Sequence, residues 1–160
     1  MKQTITLFLL MIGMAASAQR TELRAGALAS FFGKSGVGDG FGGELYVGER
    51  WGVFSSGLNI QAVHSSHNGI YAPVTASIGL SAGPLTFHVD PGFLIHNQSV
   101  GKYEEKGRFY FGSGIRITGE DGLYVNLQYG KHYTRVDDGS KASGTSAVAL
   151  SIGYQFGSRK

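Results

Sequence analysis

From Glu22 onward, apolar and polar side chains alternate residue by residue in eight separate stretches of the chain. A period of two places successive side chains on opposite faces of an extended strand. The pattern predicts strands at residues 22–31, 41–48, 53–63, 73–80, 85–95, 109–118, 123–130 and 147–156. Each has one apolar face, such as Leu85, Phe87, Val89, Phe93 and Ile95 in the fifth, or Val148, Leu150, Ile152, Tyr154 and Phe156 in the eighth. On these boundaries no charged residue falls on an apolar face. One position fits poorly. Pro91 cannot donate a ladder hydrogen bond, and with Asp90 and Gly92 beside it a bulge or local break is expected there.

The links between strands alternate in length. Residues 32–40, 64–72, 96–108 and 131–146 are long and polar, whereas Glu49-Arg50, residues 81–84 and residues 119–122 are short turns punctuated by Gly or Pro. Four long links at one end and three turns at the other describe an antiparallel up-and-down barrel of eight strands, with both termini on the turn side. Strands of about ten residues, tilted, match the thickness of a bilayer's hydrocarbon layer.

Alternation alone fits a water-soluble barrel equally well, with its apolar face turned inward. The polar faces decide the direction. They carry Gly, Ser, Thr, Asn, Gln and Tyr and no Lys, unlike the Lys- and Glu-rich exterior of a soluble domain. Small and amide side chains suit a narrow lumen, which an eight-stranded barrel fills with its own side chains. The expected fold is therefore a transmembrane barrel with its apolar faces in lipid. Arg24, Glu44, His88, Asp90 and Arg116 fall on the inward faces, where charges of both signs are expected to form a lumenal polar network. The aromatic residues divide into two groups. Phe31, Phe41, Phe109, Phe111 and Tyr129 lie toward the loop end, and Trp51, Phe87, Tyr154 and Phe156 toward the turn end, as two membrane-interface belts require.

Composition narrows the setting. Lys2 followed by the apolar run 5–16 and the small residues Ala16-Ser17-Ala18 reads as an export signal cleaved before Gln19. The remaining 142 residues, 19–160, make one domain by size, with 13 Lys and Arg against 11 Asp and Glu after loss of Lys2. That balance offers nothing to nucleic acid. Cysteine is absent, so pairing of strands and burial must hold the chain without disulfides. No stretch of residues 19–160 approaches the ~20 apolar residues of a membrane-spanning helix.

The Ala16-Ser17-Ala18-Gln19 junction, the segment Ile70-Tyr71-Ala72-Pro73-Val74 leading to a hairpin at Gly83-Pro84, and the last strand Ser151-Ile152-Gly153-Tyr154-Gln155-Phe156 carry a resemblance. Over nearly all of residues 19–160 the chain resembles the outer-membrane protein beta-barrel domain family, the small OmpX-like and PorT-like barrels. The resemblance implies the outer membrane of a Gram-negative cell, outer-membrane lipids and lipopolysaccharide as surroundings, and insertion by the barrel-assembly machinery, which reads the terminal strand. The chain departs from that terminal signal by continuing through Gly157-Ser158-Arg159-Lys160. Family members include adhesion-related and structural proteins, so a structural or surface-interaction role through the four loops is implied. The ligand of those loops is not.

Several motifs bear on chemistry. His64 and His67 form an H-x-x-H in a predicted loop, with His96 and His132 near the same rim. Off a helix, and without a third converging ligand, this spacing does not indicate a metal site. His64-Ser65-Ser66 is similar to the His-x-Ser of outer-membrane lipid A deacylases, but it lies in the first half of the chain and no Glu follows before Glu104. The Gly-rich run 33–43 lacks the Gly-Lys-Ser/Thr ending of a phosphate loop. No catalytic, cofactor or metal residues are assigned. Residues 102–108 form a mixed charge run, and Lys34, Lys102, Lys131 and Arg135 are available to lipopolysaccharide phosphates. The competing functions are a small channel, a membrane-embedded lipid hydrolase and a soluble periplasmic ligand-binding barrel. The first amino acid of the exported protein should be Gln19. N-terminal sequencing or intact mass of membrane-extracted protein checks this, and an uncut mass would mean a retained anchor.

Overall fold

The computed structural model describes residues 19–32, 40–65, 69–97, 105–136 and 143–157. The proposed export signal, residues 1–18, lies outside them. Eight strands follow one another as β1 (Gln19–Phe32), β2 (Gly40–Trp51), β3 (Phe54–Ser65), β4 (Gly69–Ala82), β5 (Leu85–Asn97), β6 (Glu105–Thr118), β7 (Leu123–Val136) and β8 (Ser143–Phe156). Each is antiparallel to its neighbour, and β8 pairs back onto β1 to close the ring. This is the eight-stranded antiparallel barrel that the alternation implied. Among the described residues no helix is long and apolar enough to cross a membrane.

The strands are staggered. One circuit of directly opposed residues runs Thr21, Glu49, Ser56, Ile78, Val89, Ser113, Tyr129 and Val148, and re-enters β1 at Phe31, ten residues beyond its start. A stagger of that size over eight strands tilts them by roughly 40° to the axis and leaves an interior wide enough only for side chains.

The turns differ from expectation in two places. β2 continues through Glu49 and Arg50 to Trp51, and the turn is Gly52-Val53. A two-residue hairpin with the strands' own twist needs a positive φ at its first turn residue. Gly52 supplies it, at 59°, and Glu49 would do so only under strain. The next turn, Gly83-Pro84, is built the same way, with Gly83 at 61° and Ser81 and Ala82 in the strand. Because β2 is longer than expected, Glu49 falls on the outward face near the turn end, an exception to the charge-free apolar faces. Lys131 is another, on the outward face of β7 near the loop end.

The long links are also shorter than the pattern indicated. Residues 69–72, 105–108, 131–136 and 143–146 belong to strands. Of these, 105–108, 131–136 and 143–146 are largely polar, so their pairing is invisible to a hydrophobic pattern. Of the bulge or local break expected at Pro91, the structure shows the break. Pairing of β4 with β5 steps from Thr75↔Gly92 to Ile78↔Val89 without a change of register, while Pro91 stays opposite Phe111 of β6. The missing N–H thus interrupts one ladder locally and shifts nothing. The register slips instead between Ala72 and Pro73, where Ile95 is the extra residue on β5. A second slip lies between Lys106 and Phe109.

Polarity is inverted relative to a soluble protein. Leu58, Ile78, Val125, Leu127 and Ile152 are exposed on the outside, whereas Asn59, Gln61, Thr75, Gln128 and Ser151 are buried inside. Three large rings also lie inside, and glycines make room for them. Tyr46 lies against Gly48 and Gly57, Tyr110 against Gly112 and Gly130, and Tyr124 against Gly26 and Gly153. A Cβ at Gly48, Gly57 or Gly130 would run into the ring, at Gly26 or Gly153 into the Tyr124 hydroxyl, and at Gly112 into Gln128 Nε2 before the ring. Gly130→Ala, whose nearest obstacle is the Tyr110 ring alone, should cost about 1–3 kcal/mol as an overpacking change. Combined with Tyr110→Leu the loss should be smaller than the sum of the two single losses, read from denaturant midpoints of the refolded barrel.

Candidate functional site: the lumen and its two ends

The barrel interior divides into three levels, set by the stagger of the strands. At mid-height lies a chain of hydrogen bonds joining β2, β3, β5 and β7. Glu44 accepts from Tyr124 Oη at 2.7 Å and from Gln61 Nε2 at 3.4 Å. Gln61 Nε2 also donates to Gln128 Oε1 at 2.6 Å, and Gln128 Nε2 donates to Asp90 Oδ2 at 2.8 Å. Asp90, 0% exposed, takes His88 Nδ1 on the same oxygen at 2.7 Å. Asn126 Oδ1 lies 2.8 Å from the other nitrogen of His88. Alternation explains why these side chains meet. Residues 88 and 90 are two apart on β5, and the stagger brings 61 and 128 together across the lumen.

All five inward residues singled out from sequence line this space. His88 and Asp90 touch directly, and Glu44 reaches them through Gln61 and Gln128. Arg24 sits elsewhere in the level, its guanidinium stacked 3.5 Å from the centroid of the Tyr46 ring. Such stacking lets a weakly hydrated cation be buried without a carboxylate beside it. Arg116 is buried on β6, with Thr86 and Asn126 as its register partners. Nε of Arg24, Nε of Arg116 and Oδ1 of Asp90 have no hydrogen-bond partner among the described residues. The linking amides Gln61, Asn126 and Gln128 were not singled out from sequence, because an amide's role depends on which strand faces it.

Toward the loop end the interior turns apolar. Leu28, Val63, Leu94, Tyr110 and Ala149 form one buried cluster, with Pro73 and Ala147 also buried. These residues carried a sequence signal. Leu28, Val63, Leu94, Ala147 and Ala149 are apolar residues on otherwise polar faces, all in the loop-side halves of their strands. The turn end is the opposite. There a cavity of about 410 Å³ opens, lined in part by Arg20, Glu22, Arg50 and Gln155.

On the outer wall, Phe31, Phe41, Phe109, Phe111 and Tyr129 are exposed near the loop end, and Phe87, Tyr154 and Phe156 toward the turn end, with Trp51 half-buried at the end of β2. Phe93 and Phe54 occupy equivalent depths and were not singled out from sequence. Phe93 packs edge-on to Phe109 with centroids 6.0 Å apart, and Phe54 stands opposite Trp51.

The other motifs are not assembled into sites. His64 is exposed on the outward face of β3 rather than in a loop. His67, Ser66, Lys34, Lys102 and Glu104 lie outside the described residues, and the side chains of Ser65, His96, His132 and Arg135 are not described. Both ring nitrogens of His88 are occupied by Asp90 and Asn126, so neither is left for a hydroxyl nucleophile. Among the described residues no three His, Cys, Asp or Glu side chains converge as metal ligands.

No protein-family model matches the chain, and no curated protein matches it in sequence. Solved structures do match in fold. Neisserial surface protein A aligns over 86% of this chain and 96% of its own, with TM-score 0.53 and 11% identity. Ail, the attachment invasion locus protein of Yersinia pestis, aligns over 86% and 98%, with TM-score 0.57 and 15% identity. The structure of Ail in a phospholipid bilayer nanodisc gives 0.51 at 15% identity over 86% of this chain and 99% of its own. At this identity the likeness is one of fold: the chain has the architecture of the small eight-stranded outer-membrane barrels.

Asp90→Ala would strand the buried His88 and Gln128 donors together. It should lower stability by about 2–5 kcal/mol, whereas Asp90→Asn, which preserves shape and one acceptor, should cost less. Unfolding midpoints in detergent or nanodiscs measure both, and equal losses would mean that the acceptor retained by Asn contributes nothing.

Proposed function

We propose that the chain is an integral outer-membrane protein of a Gram-negative cell, a non-enzymatic member of the OmpX-like and PorT-like barrels. In this reading it acts at its loop end and not through its lumen. The observation that carries the reading is the inverted polarity. An apolar wall with Phe41 at 73% exposure surrounds an interior in which Asp90 is 0% exposed. In water that wall would be an aggregation surface far larger than a monomer tolerates. In lipid it is the favourable one, and ring closure satisfies every strand edge.

The filled interior supports a structural or surface-interaction role over conduction. Gln61, Gln128, Tyr124 and Arg24 occupy mid-height, and the apolar cluster of Leu28, Val63, Leu94 and Tyr110 is buried on their loop side. An ion would have to shed its hydration shell to pass buried apolar side chains. At the loop end, Lys131 projects outward one strand alternation beyond Tyr129, a position suited to lipopolysaccharide phosphates. The outward Tyr154 and Phe156 at the end of β8 suit recognition by the barrel-assembly machinery.

The expected behaviour is recovery with the outer membrane on fractionation, a gel mobility that changes on boiling, and no steady open current in planar bilayers. Recovery in the soluble periplasm would overturn the membrane reading, and sustained conductance would overturn the closed lumen.

A further inference from the structure

Near the turn end an acidic side chain, Glu49, interrupts the apolar outer wall. We propose that Glu49 and the two hydroxyls flanking it bind the primary ammonium headgroup of a membrane lipid of the phosphatidylethanolamine class. The inference rests on the membrane reading of the proposed function and is independent of the role assigned to the loops.

Register builds the site. Thr21 of β1 and Ser56 of β3 stand directly opposite Glu49, one on either side. Side chains opposed across an antiparallel pair share a face, with Cβ atoms about 4.5–5.5 Å apart. The three residues therefore form one polar row across β1, β2 and β3. The next outward row toward mid-height is Leu23, Val47 and Leu58, all exposed and apolar. On the turn side of Glu49 stand Trp51 and Phe54, opposed to each other. The polar row thus lies at the level of the turn-end aromatic residues, where lipid headgroups meet a barrel wall.

The protein supplies no cation there. Glu49 is half-buried, and among the described residues its carboxylate has no hydrogen-bond or ion-pair partner. Arg50, its neighbour in sequence, is turned to the inner face by alternation. There it pairs with Glu22 and donates to Gly52 O. Arg20 also lines the turn-side cavity rather than the outer wall. A carboxylate half-buried in an apolar wall is costly until a cation joins it.

The flanking hydroxyls select the kind of cation. A primary ammonium carries three N–H donors, and hydroxyl oxygens accept as carboxylates do. Glu49, Thr21 and Ser56 thus offer one acceptor group for each donor, on strands about 4.8 Å apart. The quaternary ammonium of phosphatidylcholine has the charge but no N–H. An anionic headgroup would be repelled by Glu49. A hard divalent cation takes roughly six or more oxygen ligands, beyond what one carboxylate and two hydroxyls provide. Above a headgroup seated here, the acyl chains would lie along Leu23, Val47 and Leu58.

The test uses the full refolded barrel in mixed bilayers of phosphatidylethanolamine and phosphatidylcholine. Trp51, the single tryptophan, lies one alternation from Glu49 on the same face of β2. Bromine near the headgroup end of the acyl chains quenches its fluorescence on contact. Two mixtures of identical headgroup composition are compared, with the bromine carried by one lipid and then by the other. Phosphatidylethanolamine is expected to be enriched at Trp51 by about threefold or more. Glu49→Leu should bring the ratio to about one, with Glu49→Gln and Ser56→Ala in between. The boiling-dependent gel shift verifies that each variant is folded. Equal quenching by the two lipids in the unaltered protein overturns the proposal and leaves the membrane reading intact, since quenching itself puts Trp51 in the bilayer. Enrichment unchanged in Glu49→Leu also overturns it. Absence of quenching by either lipid overturns the membrane reading and the site with it. Should Glu49→Leu fail to fold, the near-isosteric Glu49→Gln decides, and undiminished enrichment there is the overturning result.

Discussion

Pairing of β8 with β1 is the contact on which the rest of this structure depends. An open sheet with these outer faces would present two unpaired edges along apolar walls, and neither lipid nor water would satisfy both parts. Closure removes the edges. The stagger of ten residues at which it closes then sets the strand tilt and the bore. Everything inside follows from that bore, because a space this narrow must be filled by the wall's own side chains.

The filling obeys two physical demands. Volume is met by setting large rings against glycines, as with Tyr110 beside Gly112 and Gly130. Polarity is met by making charges share amides, so that Glu44 and Asp90 are linked through Gln61 and Gln128 and neither stands alone. Arg24 is accommodated differently, on the face of Tyr46. The polar level ends beneath the apolar cluster around Leu28 and Val63. The described lumen is consequently asymmetric, apolar toward the loops and polar toward the turns, where Arg20, Arg50 and the buried Glu22 line a cavity.

Much of the architecture was legible in the chain because period-two alternation and outward or inward placement are the same fact on a closed barrel. Strand number, the direction of polarity and the inward position of Arg24, Glu44, His88, Asp90 and Arg116 all follow from it. Structure and pattern diverge where alternation is silent. Glu49-Arg50 looks like a polar break, whereas backbone geometry demands the positive φ of Gly52 for the first turn. At Pro91, where a proline costs one hydrogen bond, the expected bulge or break takes the form of a break in the ladder toward β4, and the register slip occurs at Ile95.

The sequence by itself determined that eight amphipathic strands would form and which side of each would face outward, since these depend only on neighbours two residues apart. The tertiary structure alone decided which inward side chains touch. Residues 61 and 128, or 44 and 124, are far apart along the chain and on strands that are not adjacent. They meet because the stagger at closure raises each strand relative to the last. The same stagger brings Arg20, Arg50, Glu22 and Gln155 to a common mouth, and no local pattern in the chain encodes that meeting.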